Sequence, residues 1–467
     1  MVVHKQILPE TERQLNDSGL FLYAQDLIVP DSGLSLLYSP MARKAMWIDP
    51  STVWGREQDP QGEVAWKKAV DELADFIPLK DRTRKVKSVA DYPLLTVLPN
   101  QKCNLSCSYC YSARGRSGAE LDLQTLKHTI DFFIRTKTSD RPLSVSYMGG
   151  GEPMLSWTLL SESMDYAREQ AAEAGKKIDF TIITNGTVLT EKMLAYIRAH
   201  HIQISISFEI IEEIQNRQRG QYPNVVRNIQ RLIDNQVIPQ INSTLTPGNV
   251  ERMTEMYELL DRQFPEITHM MFEPVTAAGL FAEGNDLDNF LKTYTRHFLA
   301  IDREARKKNK SLTSFPYLRT VFPTERACAG EFCLTPDGKL SGCYCVSVPG
   351  DPAYERTVYG EVTSRTEEPG NPLRIDEELF TRLLEENVYN KSKCAYCPVK
   401  WNCGGGCFYL CNSYPETYQD IFCDFTKDFV RKVALQRFER LYSSRFGITP
   451  HENLSYIRSH PVILSMK

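Results

Sequence analysis

Thirteen cysteines carry most of the chemical information in this 467-residue chain. None precedes position 103, three stand at Cys103, Cys107 and Cys110, and ten lie between Cys328 and Cys423. The first three occur in QKCNLSCSYCYS, with three and then two residues between them. Three thiolates so spaced can each take one corner of an iron–sulfur cubane, leaving its fourth iron without a protein ligand. An open metal position can bind a small chelating molecule. A zinc site completed by a distant residue and a redox thiol group are the plainer readings of the same spacing. The odd count argues against a disulfide framework.

Composition bounds the rest. Apolar residues make up 42% and charged residues 24%, ordinary for a globular protein. The net charge of −4 gives no reason to expect a nucleic-acid partner. No apolar run reaches the roughly 18–20 residues that span a bilayer, so no membrane partner is expected. The opening MVVHKQILPETERQ lacks the apolar core and small-residue cleavage site of a signal peptide. The expectation is a cytoplasmic protein with reduced thiols.

The elements that must position these cysteines are legible. From Pro93 to about Thr276, six β-rich runs (LLTVLP, SVSYMG, DFTIITNG, QISISFE, QINSTLT, HMMFEPV) alternate with helical stretches such as LQTLKHTIDFFIRT. Strand–helix repeats build a parallel sheet with right-handed crossovers. Six units predict an α/β fold, a partial (β/α)6 TIM-like barrel, with chemistry in the loops after the strands. Before it, 1–92 reads as a small α/β appendage. Its apolar runs Phe21–Tyr23 and Leu34–Tyr38 flank the turn VPDSG, a helix is expected near Glu63–Phe76, and the charged KDRTRKVKS leads out. The core is expected over 93–326, a cysteine-rich domain over 327–425, and a helical tail over 426–467, with an amphipathic helix at Phe425–Arg440.

With the first strand ahead of it and Tyr109 before its third cysteine, the Cys103–Cys107–Cys110 motif resembles the radical S-adenosylmethionine (radical SAM) superfamily. The resemblance extends to Gly149, Gly150, Gly151, Glu152 and Pro153 after the second strand. There it implies contacts from the backbone and Glu152 to the methionyl ammonium. It extends also to Asn185 after the third strand and Ser207 at the end of the fourth. The family often has Ser-x-Asp-Gly at this last position, whereas Glu209 and Ile210 stand here. Arg219 is the implied partner of the methionyl carboxylate, with Arg217 as competitor. The implied chemistry is reductive cleavage of S-adenosyl-L-methionine to a 5′-deoxyadenosyl radical that abstracts a substrate hydrogen.

Downstream, Cys328, Gly338 and Cys343 precede Cys394-x2-Cys397-x5-Cys403-x3-Cys407 and then Cys423. Two zinc ribbons would also use Cys-x2-Cys pairs. The long pattern, however, resembles the SPASM extension of radical enzymes that modify peptides. By that resemblance one auxiliary cluster takes Cys328, Cys333, Cys343 and Cys407, and a second takes Cys394, Cys397, Cys403 and Cys423. Three [4Fe–4S] clusters follow. Cys345 and Cys411 are left over as small buried side chains, with Cys345 a rival ligand through its nearness to Cys343. The implied substrate is a ribosomally made precursor peptide, and the implied electron donor a ferredoxin or flavodoxin. The expected activity is that of a radical SAM oxidoreductase forming carbon–carbon, ether or thioether crosslinks, as in the cyclophane and darobactin type. Sulfatase-maturase-like formylglycine formation is the alternative. It is weakened because Tyr344 stands where that group is expected to carry an aspartate base. A zinc-binding or redox-sensing interaction protein is the alternative of another class. The appendage is expected either to bind the peptide's leader or to cap the barrel.

Overall fold

A computed structural model of the chain describes residues 19–24, 33–49, 60–75, 86, 88–136, 142–276, 278–328, 331–363 and 371–466. Most of VPDSG and of KDRTRKVKS, together with Phe76, lies outside them. The six expected strands appear in order as β4 (Leu94–Val97), β5 (Leu143–Tyr147), β6 (Ile178–Thr184), β7 (Gln203–Ser207), β8 (Gln240–Leu245) and β9 (His269–Pro274), numbered after the three strands described below. All six are parallel, each paired with the next. A seventh, β10 (Ser311–Thr313), adds parallel to β9. At three residues it is too short to show a period.

Alternation along the strands sorts their side chains. Leu95, Val97, Val145, Tyr147, Phe180, Ile182, Ile204, Ile206, Met270 and Phe272 are buried in one continuous core. Helix Leu123–Thr136 joins it through Leu126, Ile130 and Phe133, at helical spacing. The intervening residues face the opposite side of the sheet. They include Thr96, Ser144, Ser146, Thr181, Ser205, Ser207, Asn242, Thr244 and Glu273. A packed barrel interior is dominated by branched apolar residues. This polar inner face suits a bound polar molecule instead.

The cysteine-rich segment continues the same sheet. Strand β11 (Phe332–Leu334) pairs parallel to β4, and β12 (Lys339–Ser341), β13 (Val358–Val362) and β14 (Leu373–Ile375) follow antiparallel. The C-terminal helix runs Gln419–Phe446, longer than the expected Phe425–Arg440.

A second sheet unites the chain ends. Strands β1 (Phe21–Ala24), β2 (Ser35–Ser39) and β3 (Lys44–Ile48) form a meander, and β15 (Ile463–Ser465) pairs antiparallel to β3. The tail is therefore not purely helical. One face of this sheet packs Tyr38 and Trp47 on Leu435, Phe438 and Tyr442 of the C-terminal helix. The other packs Leu37 and Met46 on Ala69 and Leu73 of helix Pro60–Ala74. No helix of the described residues is long and apolar enough to cross a membrane.

Candidate functional site

The loop after β4 carries Cys103, Cys107 and Cys110, and all three line one cavity of about 680 Å³ with Gln101, Lys102 and Arg116. That volume falls within the roughly 300–1,000 Å³ usual for small-molecule sites. Burial pushes the Cys107 thiol up, and Cys110 and Cys103 add to this against the pull of Arg219. Among the described residues, no three His, Cys, Asp or Glu side chains converge on a single-ion site. The thiols stand around a shared space, as a cluster with one iron per thiolate requires.

The glycine run packs on this loop. Gly149 and Gly150 have φ of 61° and 61°, a region glycine enters without penalty. A Cβ on Gly150 or Gly151 would collide with the backbone oxygens of Asn100 and Lys102. Gly151 N donates to Asn100 O (2.8 Å) and Glu152 N to Lys102 O (2.6 Å). The glycines thus serve loop-to-loop packing as well as any ligand. Glu152, 2% exposed, accepts from Asn185 N (2.7 Å), Met154 N (3.0 Å) and Thr184 Oγ1 (2.5 Å). Its carboxylate fastens the glycine loop to the end of β6. Asn185 also donates through Nδ2 to Asn104 Oδ1 in the cysteine loop (2.9 Å).

The fourth loop holds a group that sequence reasoning noticed only as a departure. Glu209 is fully buried, and its Oε1 accepts from the Tyr109 hydroxyl and from Arg219 Nε (2.9 Å). Its Oε2 accepts from Ser243 Oγ (2.6 Å). The Arg219 guanidinium lies over the Tyr109 ring, 5.2 Å from its centroid, and Nη1 is 3.8 Å from Cys107 Sγ. Gln215 Oε1 accepts from Glu209 N (2.9 Å) and its Nε2 donates to Gly220 O (2.8 Å), clamping the segment between. Ile210 follows in the left-handed region, at φ 65°, fully buried. That conformation costs a β-branched residue roughly 1–3 kcal/mol, tolerated where glycine is common in the resembling family. Ser207, the last residue of β7, sits on the polar inner face. Arg217 points elsewhere, donating to Gly248 O (2.9 Å). The signal for the Glu209–Arg219 pair was an acid and a base ten residues apart across one strand–helix turn.

In the C-terminal segment, Cys343, Cys345 and Cys407 pack together with Tyr111, Tyr344 and Tyr409. Cys328, Cys343 and Cys407 border one small cavity. Burial pushes the Cys345 thiol up, and Cys407 and Cys328 are close enough to add to it. Cys333 lies fully buried on β11, where burial, Glu331 and Cys343 raise its thiol. Cys345 packs with Cys343 and Cys407, two of the expected first-cluster cysteines, whereas Cys333 lies on β11 outside that group. Cys394, Cys397, Cys403 and Cys423 neighbour one another. Tyr111 and Tyr344 meet edge to face at 6.0 Å, linking the two cysteine regions.

Residues 97–262 match the family model described as the radical SAM superfamily. The chain carries a radical SAM domain. It is 24% identical over 346 residues to a serine-type anaerobic sulfatase-maturating enzyme of Klebsiella aerogenes, covering 68% of this chain and 82% of that one. It is 22% identical to a radical SAM cyclopropyl synthase of Paramaledivibacter caminithermalis over 36% of this chain, and spans only 38% of that relative's length. The fold matches the structure of anSMEcpe with bound AdoMet and Kp18Cys peptide at a TM-score of 0.59 and 17% identity, covering 74% of this chain and 99% of that one. The likeness is one of fold: a radical SAM, TIM-like core followed by a cysteine-rich C-terminal region consistent with a SPASM extension.

Proposed function

We propose that this protein is a peptide-modifying radical SAM oxidoreductase that closes crosslinks between side chains of a ribosomally made precursor peptide. The observation that carries the reading is the convergence of Cys103, Cys107 and Cys110 on one cavity, beside the Gly149–Glu152 loop and the Tyr109–Glu209–Arg219 group. When bound, a [4Fe–4S] cluster and S-adenosylmethionine would supply a 5′-deoxyadenosyl radical able to take a hydrogen atom from the peptide. The chain's own residues hold and orient. The three thiolates would hold the cluster. Backbone groups of Gly149–Glu152, locked by the Glu152 carboxylate, would be available to the methionyl ammonium. Arg219, braced by Glu209, keeps guanidinium donors for the methionyl carboxylate. Asn185 and Ser207 would lie toward the rest of the bound cofactor.

The eight C-terminal positions would hold two auxiliary clusters. Cys394, Cys397, Cys403 and Cys423 form one set. Cys328, Cys343 and Cys407 form the other, and packing favours Cys345 over Cys333 as its fourth member. Oxidative ring closure removes two electrons from the peptide, and clusters linked to the core by Tyr111 and Tyr344 suit that task. A small ferredoxin or flavodoxin would supply the reducing electron.

Formylglycine formation remains the second reading, favoured by the 24% relative. It lacks a carboxylate at 344, and burial pushes the Tyr344 phenol well up, away from service as a base. Anaerobic reconstitution, iron and sulfide assay, and incubation with reductant, S-adenosylmethionine and candidate peptides test the proposal. About twelve irons per chain, four in each of three cubanes, are expected. So are 5′-deoxyadenosine release and a peptide lighter by two hydrogens per ring. Stoichiometric zinc without iron would overturn it, and conversion of serine or cysteine to an aldehyde would favour the second reading.

A further inference from the structure

Three cations approach the cavity of the first cysteine loop. Lys102 is neutralised by Glu120 (2.6 Å) and Arg219 by Glu209 (2.9 Å). Arg116 differs, with no carboxylate partner among the described residues. Its Nη2 donates to Cys110 Sγ at 3.2 Å, and its Nη1 donates to Gly150 O at 3.2 Å. It lines the same cavity as the three thiols. One planar fork therefore ties a cluster cysteine to the glycine loop. A lysine has no such fixed pair of donors. The charge is permanent, since a guanidinium does not lose its proton in proteins.

Hydrogen bonds to sulfur and nearby charge are two of the levers that set the potential of an iron–sulfur centre. Both act in one direction here. A reduced cluster carries one more negative charge, which an unneutralised cation and an N–H···S bond stabilise. We infer that Arg116 is a positioning residue that holds the Cys110 thiolate and makes the cluster bound there easier to reduce. The inference rests on the cluster assignment made above for Cys103, Cys107 and Cys110.

The test is EPR-monitored redox titration of the anaerobically reconstituted full-length holoenzyme. The signal of this site is identified by its loss in Cys107→Ala. In Arg116→Ala the ratio of reduced to oxidised cluster at a fixed potential should fall about tenfold, a midpoint lower by about 59 mV for a one-electron couple. Arg116→Lys, which keeps the charge and loses the fork, should fall between. Arg262→Ala, an exposed arginine remote in sequence from the cysteine loop, should titrate as wild type. Equal midpoints for wild type and Arg116→Ala, both with full iron content, would overturn the inference and leave the cluster assignment standing. If Arg116→Ala loses iron, Arg116→Gln is compared on the same criterion. A wild-type protein that shows no cluster signal sinks the assignment and the inference together.

Discussion

Tyr109 and Arg219 hydrogen-bond the same oxygen of Glu209 while their side chains stack, guanidinium over ring at 5.2 Å. Both belong to the surroundings of Cys107, and Tyr109 stands 100 residues from Glu209 in sequence. The acid therefore fixes an aromatic on the cysteine loop and a cation beyond the fourth strand in one arrangement.

Glu209→Gln should destabilise the fold. The Glu209 side chain is 0% exposed and that of Arg219 11%, so the substitution strands a buried guanidinium. Breaking such a pair costs about 3–5 kcal/mol. Anaerobic urea denaturation followed by circular dichroism should show this loss, and equilibrium dialysis should show weaker S-adenosylmethionine binding. An unchanged urea midpoint would contradict the account.

Gly151→Ala should cost the first cluster. The added methyl would strike Lys102 O and Asn100 Oδ1, both held in the turn that leads into Cys103. Iron assay of the reconstituted variant should fall by about four atoms per chain, one cubane. Gly118→Ala, where a Cβ meets nothing within 4 Å, should keep the full count.

The choice between Cys345 and Cys333 is measurable. Cys345→Ala should perturb the Mössbauer or EPR signature of the first auxiliary cluster and reduce its iron. Cys333→Ala should leave both unchanged and cost only packing, because Cys333 is fully buried on β11, which lies between β4 and β12 in the sheet. The opposite pattern would restore Cys333 as the ligand.

Glu273, at the end of β9, accepts from Phe315 N (2.7 Å), yet burial pushes its carboxyl up to about 8. An unfolded glutamate titrates near about 4.3. Between those values the folded chain keeps a proton that the unfolded chain has released, so stability falls as pH rises. The proton's contribution is complete below about pH 4.3 and gone above about pH 8. Glu273→Gln should flatten this part of the pH dependence of the urea midpoint. A variant with the wild-type slope would show that Glu273 is not its source.

The strands that carry the site were plain in the sequence because each is a β-rich run between long helices with a clear period. The three thiols and the glycine loop were plain because their spacing is local. Two things stayed hidden. Strands β10, β11, β12 and β14 have three residues each, too few to show alternation, so the continuation of the barrel sheet into the cysteine-rich segment could not be read. Tyr109 and Ser243, which bond Glu209, and Gly150, which accepts from Arg116, come from other strand–loop units, and only the parallel register brings them together. Deleting 1–90 would not isolate leader binding by the N-terminal appendage. The packing of Trp47 and Tyr38 on the C-terminal helix makes that deletion a blow to the fold itself.

The sheet shared by both chain ends also bears on biosynthesis. Its first three strands leave the ribosome well before Phe438, Tyr442 and the strand at Ile463–Ser465 that completes the sheet. Trp47 and its neighbours must therefore wait, with one apolar face uncovered, until those later elements emerge. Nascent chains of this protein should lean on chaperones throughout that interval, and ribosome-stalled fragments ending before about residue 430 should aggregate on release more readily than fragments that include Ile463–Ser465.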